Sequence, residues 1–154
     1  MRLLFKQRAF SWFDSYDIYD EDENIIFTVE GKFSWGHRLE ISDARGYLGT
    51  VQQEPLSFPM RFSLYIGENQ IGELTKEFTF FHPQYTLDCN GWQIEGDFFG
   101  WDYTAVDTNG NEVMHASKEP FHWSDYYIID VADPSDILIC LMIVLSIDAA
   151  TCQN

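Results

Sequence analysis

The sequence has 154 residues, of which 45% are hydrophobic and 17% aromatic. This length and composition exclude a disordered chain and predict one domain, over residues 1–154, with a sizeable core. Against 9 Lys and Arg stand 25 Asp and Glu, a formal net charge of -16, which argues against nucleic acid as a partner. Cys89, Cys140 and Cys152 form no CxxC pair, which favours a reducing, cytoplasmic setting.

Most of the chain repeats one plan, in which an extended run is followed by a polar turn and a second extended run. The turns fall at 20–24, 42–46, 67–69 and 107–111, and each contains the Asp, Asn or Gly residues that hairpins favour. Counting such runs predicts about ten to twelve strands, mostly joined as antiparallel hairpins.

Two segments echo each other along the chain. Residues 29–33 read Val-Glu-Gly-Lys-Phe and residues 94–98 read Ile-Glu-Gly-Asp-Phe. Their spacing of about 65 residues is too long for a solenoid repeat and indicates two similar halves.

The last part of the chain predicts a buried helix over about 134–151. Asp133 and Pro134 are a typical helix start, and residues 137–147 are apolar on every side except for Ser146. Because a helix without a polar face must be surrounded, and the apolar run is shorter than the roughly 20 residues of a membrane span, we predict a core helix and no transmembrane segment. The fold class is therefore mainly β, a closed barrel of about ten to twelve antiparallel strands around this central helix.

Several segments resemble the LURP-one-related (YxjI-like) family over nearly the whole chain. They are Phe10-Ser11-Trp12, the turn at 18–20, residues 29–36, residues 39–43, residues 94–98 and the closing apolar helix. Members of that family are similar to the tubby C-terminal domain and to phospholipid scramblases, so the resemblance implies a twelve-stranded tubby-like barrel around a helix.

The resemblance implies little about activity, since the family brings no catalytic residues and no cofactor. Tubby domains bind phosphoinositide headgroups through clustered Lys and Arg. In this sequence the candidates are the scattered Lys6, Arg8, Lys32 and Arg38, so no phosphoinositide site is carried over.

The polar residues carry few signs of a metal-binding or catalytic motif. His37, His82, His115 and His122 form no zinc-binding spacing, and no phosphate loop or nucleophile elbow is present. The acidic turn supplies one weak calcium candidate, in which Asp20, Asp22 and Asn24 alternate. The Gly and Glu that an EF-hand loop needs at its sixth and twelfth positions are missing, so an ordinary acidic turn is the stronger interpretation.

The aromatic residues are predicted to pack the barrel wall against the helix, although a contiguous exposed patch of them would instead indicate a partner or a membrane surface. They are Trp12, Phe13, Phe33, Trp35, Phe78, Phe80, Phe81, Trp92, Phe98, Phe99, Trp101, Phe121, Trp123, Tyr126 and Tyr127.

Three functional hypotheses follow. The first is a non-enzymatic tubby-like binding or scaffold module with a protein or lipid partner. The second is a peripheral membrane or phospholipid-binding protein, with or without calcium. The third is an enzyme with an unrecognised site. A basic exposed cleft would favour the second hypothesis, and a deep pocket with converging carboxylates or histidines would favour the third.

Overall fold

The structure, a computed structural model, describes residues 1–6, 15–78, 82–120 and 125–151. Within these residues twelve strands form a closed antiparallel barrel in which each strand pairs with its neighbours in sequence, and β1 also pairs with β12. This confirms the predicted fold class. The strands, β1 to β12 in order, are Arg2–Lys6, Ser15–Tyr19, Ile25–Lys32, Arg38–Asp43, Gly46–Gln53, Arg61–Ile66, Asn69–Phe78, Pro83–Leu87, Trp92–Asp97, Asp102–Val106, Glu112–Pro120 and Asp125–Val131.

The strands bury one face and expose the other, because successive side chains of a strand point to opposite sides. In β9, Trp92 and Ile94 are buried while Gln93 and Glu95 are exposed. The buried faces of all strands point into the barrel and meet the helix there. The core therefore lies in the lumen.

The helix fills that lumen. A short 3-10 turn at Pro134–Asp136 precedes the α-helix Ile137–Thr151, here α1. The Asp133 side chain accepts from the Ser135 N–H at 2.9 Å, as the predicted helix start requires, and residues 140–150 are all buried. The predicted central helix is confirmed, and its first turn is 3-10 rather than α.

The same segment meets the composition of a membrane span. Within the described part of the chain, Pro134–Thr151 is the one helix long and apolar enough to cross a bilayer, and 61% of it is buried inside the molecule.

The alternating strand directions give the barrel two distinct ends. Connections 33–37, 54–60 and 98–101 lie at one end, here called the rim end, together with the last residue of β7, Phe78. Turns 20–24, 44–45, 67–68, 88–91 and 107–111 lie at the opposite end, here called the turn end. Since β12 finishes at the turn end, the helix enters the lumen there and runs towards the rim end.

Candidate functional site

Large apolar side chains are exposed together at the rim end. We call five of them the apolar rim: Phe33, Trp35, Leu56, Phe58 and Phe78, with exposed fractions of 90%, 84%, 103%, 89% and 68%. Phe99, which is 82% exposed, lies at the same end in the connection between β9 and β10. At the turn end the most exposed large apolar side chain of the described residues is Ile25, at 57%. The apolar surface is therefore concentrated at one end of the barrel.

The connection from β3 to β4 is held against the end of β5. The Gln53 N–H donates to the His37 carbonyl at 2.7 Å, and the Gln53 side chain accepts from the His37 N–H at 3.1 Å. Gly36 has a φ of +83°, and a Cβ there would lie 2.9 Å from the Gln53 carbonyl oxygen, so only glycine fits without a shift. These contacts hold the backbone that presents Phe33 and Trp35.

The connection from β5 to β6 is also held by hydrogen bonds. The Glu54 N–H donates to the Arg61 carbonyl at 2.9 Å, and the Ser57 hydroxyl donates to the Glu54 carbonyl at 2.9 Å. Leu56 has a φ of +59°, a conformation that is uncommon for a side chain of this kind and is found preferentially at functional positions. The turn thus keeps Leu56 pointing into solvent.

The apolar rim continues from this turn onto β7. The rings of Phe58 and Phe78 stack with centroids 6.1 Å apart and an angle of 26° between their planes. Since β3 to β7 are consecutive in the barrel, the five side chains form an arc rather than isolated exposed residues.

A buried aromatic cluster supports the other side of this end. Phe98 contacts Tyr85 at 4.9 Å and Tyr103 at 5.3 Å, and Trp101 lies 5.9 Å from Tyr103, all between ring centroids. Burial, followed by the nearby Asp148 carboxylate, raises the pKa of Tyr103 well above its usual value. Because these aromatics contact one another inside the barrel, they are structural, in contrast to the apolar rim.

Cations lie at the strand ends just behind the apolar rim, and they are ion-paired. Lys32 ends β3 and Arg38 begins β4, directly opposite each other in the register. The Lys32 Nζ is 3.1 Å from a Glu30 carboxylate oxygen, and an Arg38 guanidinium nitrogen is 3.5 Å from a Glu40 carboxylate oxygen. The structure therefore brings together two of the four scattered basic candidates, while the Lys6 side chain and Arg8 lie outside what it describes.

A shallow cleft of about 260 Å³ lies between these cations and the apolar rim. Burial lowers the pKa of His37 in this cleft, which disfavours the positively charged form of its ring. Its lining residues are Lys32, Phe33, Ser34, Gly36, His37, Arg38 and Leu39.

The turn end carries the calcium candidate. One Asp20 carboxylate oxygen accepts from the N–H groups of Asp22 and Asn24, both at 2.9 Å, and the other accepts from the Asn24 side chain at 3.1 Å. The hydrogen bonds from Asn24 are the main reason why the pKa of Asp20 is lowered. The three candidates thus form a hydrogen-bonded turn, and calcium binding there stays a prediction. Calorimetry that gives no heat above buffer at millimolar calcium would contradict it.

Two imidazole–carboxylate pairs lie on the outer wall of the barrel. His115 Nε2 is 2.8 Å from an Asp102 carboxylate oxygen, and His82 Nε2 is 4.0 Å from a Glu95 carboxylate oxygen. Both pairs are solvent-exposed, and among the described residues no group of three or more His, Cys, Asp and Glu is placed to hold a metal ion. They have the geometry of ordinary surface pairs.

The expectation that the aromatics form the core is right for some and wrong for others. Trp92, Phe98 and Trp101 are buried, but Phe33, Trp35, Phe78 and Phe99 are exposed. Phe78 ends β7 and the other three lie in connections at the rim end, where their side chains point into solvent. Tyr126 and Tyr127 are half-buried. The other predicted core aromatics, at 12, 13, 80, 81, 121 and 123, lie outside the described residues, as does His122.

Sequence similarity to known proteins assigns the chain to a family. The LURP-one-related family model matches residues 1–148. An uncharacterized protein of Bacillus subtilis (strain 168), YxjI, is 35% identical over 150 residues, covering 96% of this chain and 92% of the relative. The X-ray structure of an Arabidopsis thaliana protein superposes with a TM-score of 0.63 at 12% identity, over 96% of this chain and 91% of that one. The family resemblance predicted from the sequence is confirmed.

Proposed function

Because the chain belongs to the LURP-one-related family, whose Bacillus subtilis relative is itself uncharacterized, we propose that it is a non-enzymatic binding module whose working surface is the apolar rim. The observation that carries this proposal is the exposure of five large apolar side chains on one arc of one end. Patches of this kind on soluble proteins usually mark interaction sites.

Exposed apolar side chains favour binding because covering them removes apolar surface from water. Burying a large apolar side chain is worth about 1.5–3 kcal/mol relative to leaving it in water. A partner that covers Trp35, Leu56 and Phe58 recovers that free energy on binding, whereas in the free protein these side chains stay largely in water.

The filled lumen directs binding to the outside. Leu141 and Val144 of the helix are fully buried within the barrel, so the interior is packed with protein and a ligand has to bind at an end or on the wall. The apolar rim is the surface best suited to a macromolecule, since the cleft described above is shallow.

The enzyme hypothesis has less support. A catalytic acid or base usually has its pKa tuned by burial or by neighbouring charge in a cleft. Asp102 and Glu95 are more than half exposed at their side chains, on the outer wall of the barrel, so neither lies in an enclosed cleft of that kind.

We also propose a cytoplasmic location, consistent with the free thiols of Cys89 and Cys140 in the described part of the chain.

Photo-crosslinking in cells tests the proposed function. A photoreactive residue replaces Leu56 at the rim end in one variant and Glu68 at the turn end in a second; both side chains are exposed. We expect covalent adducts with protein or lipid at position 56 and few at position 68. Equal labelling at both positions, or none at position 56, would contradict the proposal.

A further inference from the structure

We propose that the apolar rim inserts into the lipid–water interface of a membrane, and that this insertion does not depend on anionic headgroups. The inference rests on the proposed function and names the occupant of its surface. Three features of the described residues favour a lipid surface over a protein: the shape of the rim, its side-chain types and the distribution of charge along the barrel.

The shape of the rim suits a fluid partner. Phe33 borders the shallow cleft and Phe58 stacks on Phe78, yet Phe33, Leu56 and Phe58 are each nine-tenths exposed or close to it, so all three project from the end of the barrel as tips. A protein partner would need matching cavities for such tips, because stable protein interfaces pack as densely as protein interiors. Lipid headgroups and upper acyl chains rearrange around projecting side chains and need no preformed holes.

The side chains are of the types that enter membrane interfaces. Trp and Phe are amphipathic or apolar rings that favour this region, and Leu enters the acyl boundary. Among residues 33–37, 54–60 and 98–101 the one formal charge is Glu54. Its carboxylate accepts from the Ser63 hydroxyl on β6, so it is already satisfied within the protein.

The charges behind the tips are balanced. Lys32 and Arg38 pair with Glu30 and Glu40, as described above, and Arg61 lies 3.3 Å from a Glu73 carboxylate oxygen. The three cations lie at the ends of their strands, one layer back from the tips, where a headgroup region would reach them. Their pairing leaves little net charge to attract an anionic lipid, and the charge of Lys76, whose Nζ lies 5.7 Å from the centroid of the Phe78 ring, is offset by the neighbouring Glu77.

The turn end is strongly acidic. Its turns and the segment 132–136 that follows β12 contain one cation, Arg45, and nine carboxylates: Asp20, Glu21, Asp22, Glu23, Glu68, Asp88, Asp107, Asp133 and Asp136. With a net charge of -16, the protein is repelled by anionic membranes at long range. This charge distribution orients the rim end towards a lipid surface and favours zwitterionic lipid.

Vesicle flotation tests the inference with the intact protein. The probes are vesicles of phosphatidylcholine alone and of phosphatidylcholine with phosphatidylserine, each at low and high salt. The rim variant combines Trp35→Ser with Phe58→Ser, and the matched control combines Ile25→Ser with Ile66→Ser, two exposed apolar residues of the turn end. Circular dichroism and thermal unfolding establish that both variants fold.

We expect the wild type and the control to partition alike into phosphatidylcholine, with little effect of salt. The rim variant should partition about tenfold less or weaker still, since it loses two large apolar contacts. Phosphatidylserine should weaken binding at low salt.

Three results would overturn the inference. They are no flotation of the wild type, equal flotation of the rim variant and the control, or flotation that needs phosphatidylserine and is lost at high salt. Self-association that the rim variant abolishes, seen by sedimentation velocity without vesicle binding, would assign the surface to a second copy instead. Adducts with protein at position 56 without vesicle binding would overturn this inference and leave the proposed function standing.

Discussion

The two ends of the barrel differ in what their connections do with polar and apolar atoms. At the turn end, Asp20 and Asp107 each accept hydrogen bonds from the N–H groups of their own turn, and the side chains of Asn24 and Asn111 complete the pattern. At the rim end, the hydrogen bonds hold the backbone while large apolar side chains point into water. The polar side chains of the turn end therefore stabilise their own turns, whereas the large apolar side chains of the rim end stay mostly in solvent.

Both ends of the barrel exist only while the strands are packed around the helix. The largest predicted effect therefore comes from disrupting that core. Val144 is fully buried in the lumen, so Val144→Asp places an unpaired charge among apolar side chains. We expect a loss of several kcal/mol, on the order of the whole stability of a domain, and therefore no folded protein. Thr108→Asp on the exposed surface of the turn end should change stability by less than about 0.5 kcal/mol.

Expression and near-ultraviolet circular dichroism check this prediction. A soluble Val144→Asp variant that unfolds cooperatively would contradict the buried-helix account.

Two adjacent phenylalanines at the rim end allow a buried side chain to be compared with an exposed one. Phe98 is 4% exposed and Phe99 is 82% exposed. Phe98→Ala should lower the free energy of unfolding by about 3–5 kcal/mol, because it leaves a cavity beside Tyr85 and Tyr103. Phe99→Ala should change it by less than about 0.5 kcal/mol. Urea unfolding measures both, and similar losses in the two variants would show that the exposed ring also stabilises the fold.

Two glycines compare the backbones of the ends. Gly36 at the rim end and Gly110 at the turn end both have positive φ, +83° and +81°, but only Gly36 has a backbone atom close to the position of a Cβ. Gly110→Ala should cost about 1 kcal/mol from backbone strain, and Gly36→Ala about 1 kcal/mol more. Thermal unfolding of the two variants tests this order, and the reverse order would mean that the rim connection yields easily.

The smallest predicted effect is the contribution of the turn end to stability at low pH. Hydrogen bonds lower the pKa of Asp20 and of Asp107 below 3.8 in the folded protein. Their contribution to stability is therefore present above pH 3.8 and is lost as the pH falls through the folded pKa values. A variant with Asp20→Asn and Asp107→Asn should show a shallower loss of stability below pH 4, measured by urea unfolding at several pH values. If the free energy of unfolding falls equally below pH 4 in the variant and the wild type, these two carboxylates do not cause the loss of stability in acid.

Much of the fold could be predicted from the sequence because its determinants are local. Asp133 and Pro134 start the helix, the apolar run 137–147 has to be enclosed, and turns such as 107–111 have the composition of hairpins. These features predict a β-barrel around a helix without knowledge of any long-range contact.

The apolar rim could not be found in the same way, because it is assembled by the closure of the barrel. Trp35, Phe58 and Phe78 are far apart in sequence and lie at the same end only because alternate connections of antiparallel strands lie there. Counting aromatics along the chain therefore assigned Phe33, Trp35, Phe78 and Phe99 wrongly to the core. A signal was present, since the connections of one end are aromatic and almost uncharged while those of the other end are acidic.

The most direct test of the account is a fluorescent reporter of polarity at each end. In a background with Cys89→Ser and Cys152→Ser, one variant carries Leu56→Cys and another Asn109→Cys, each labelled with an environment-sensitive dye and mixed with phosphatidylcholine vesicles. The account predicts a blue shift and increased emission at position 56 and no change at position 109. A change at position 109, or no change at either position, would contradict the claim that the rim end is the surface that enters the lipid interface.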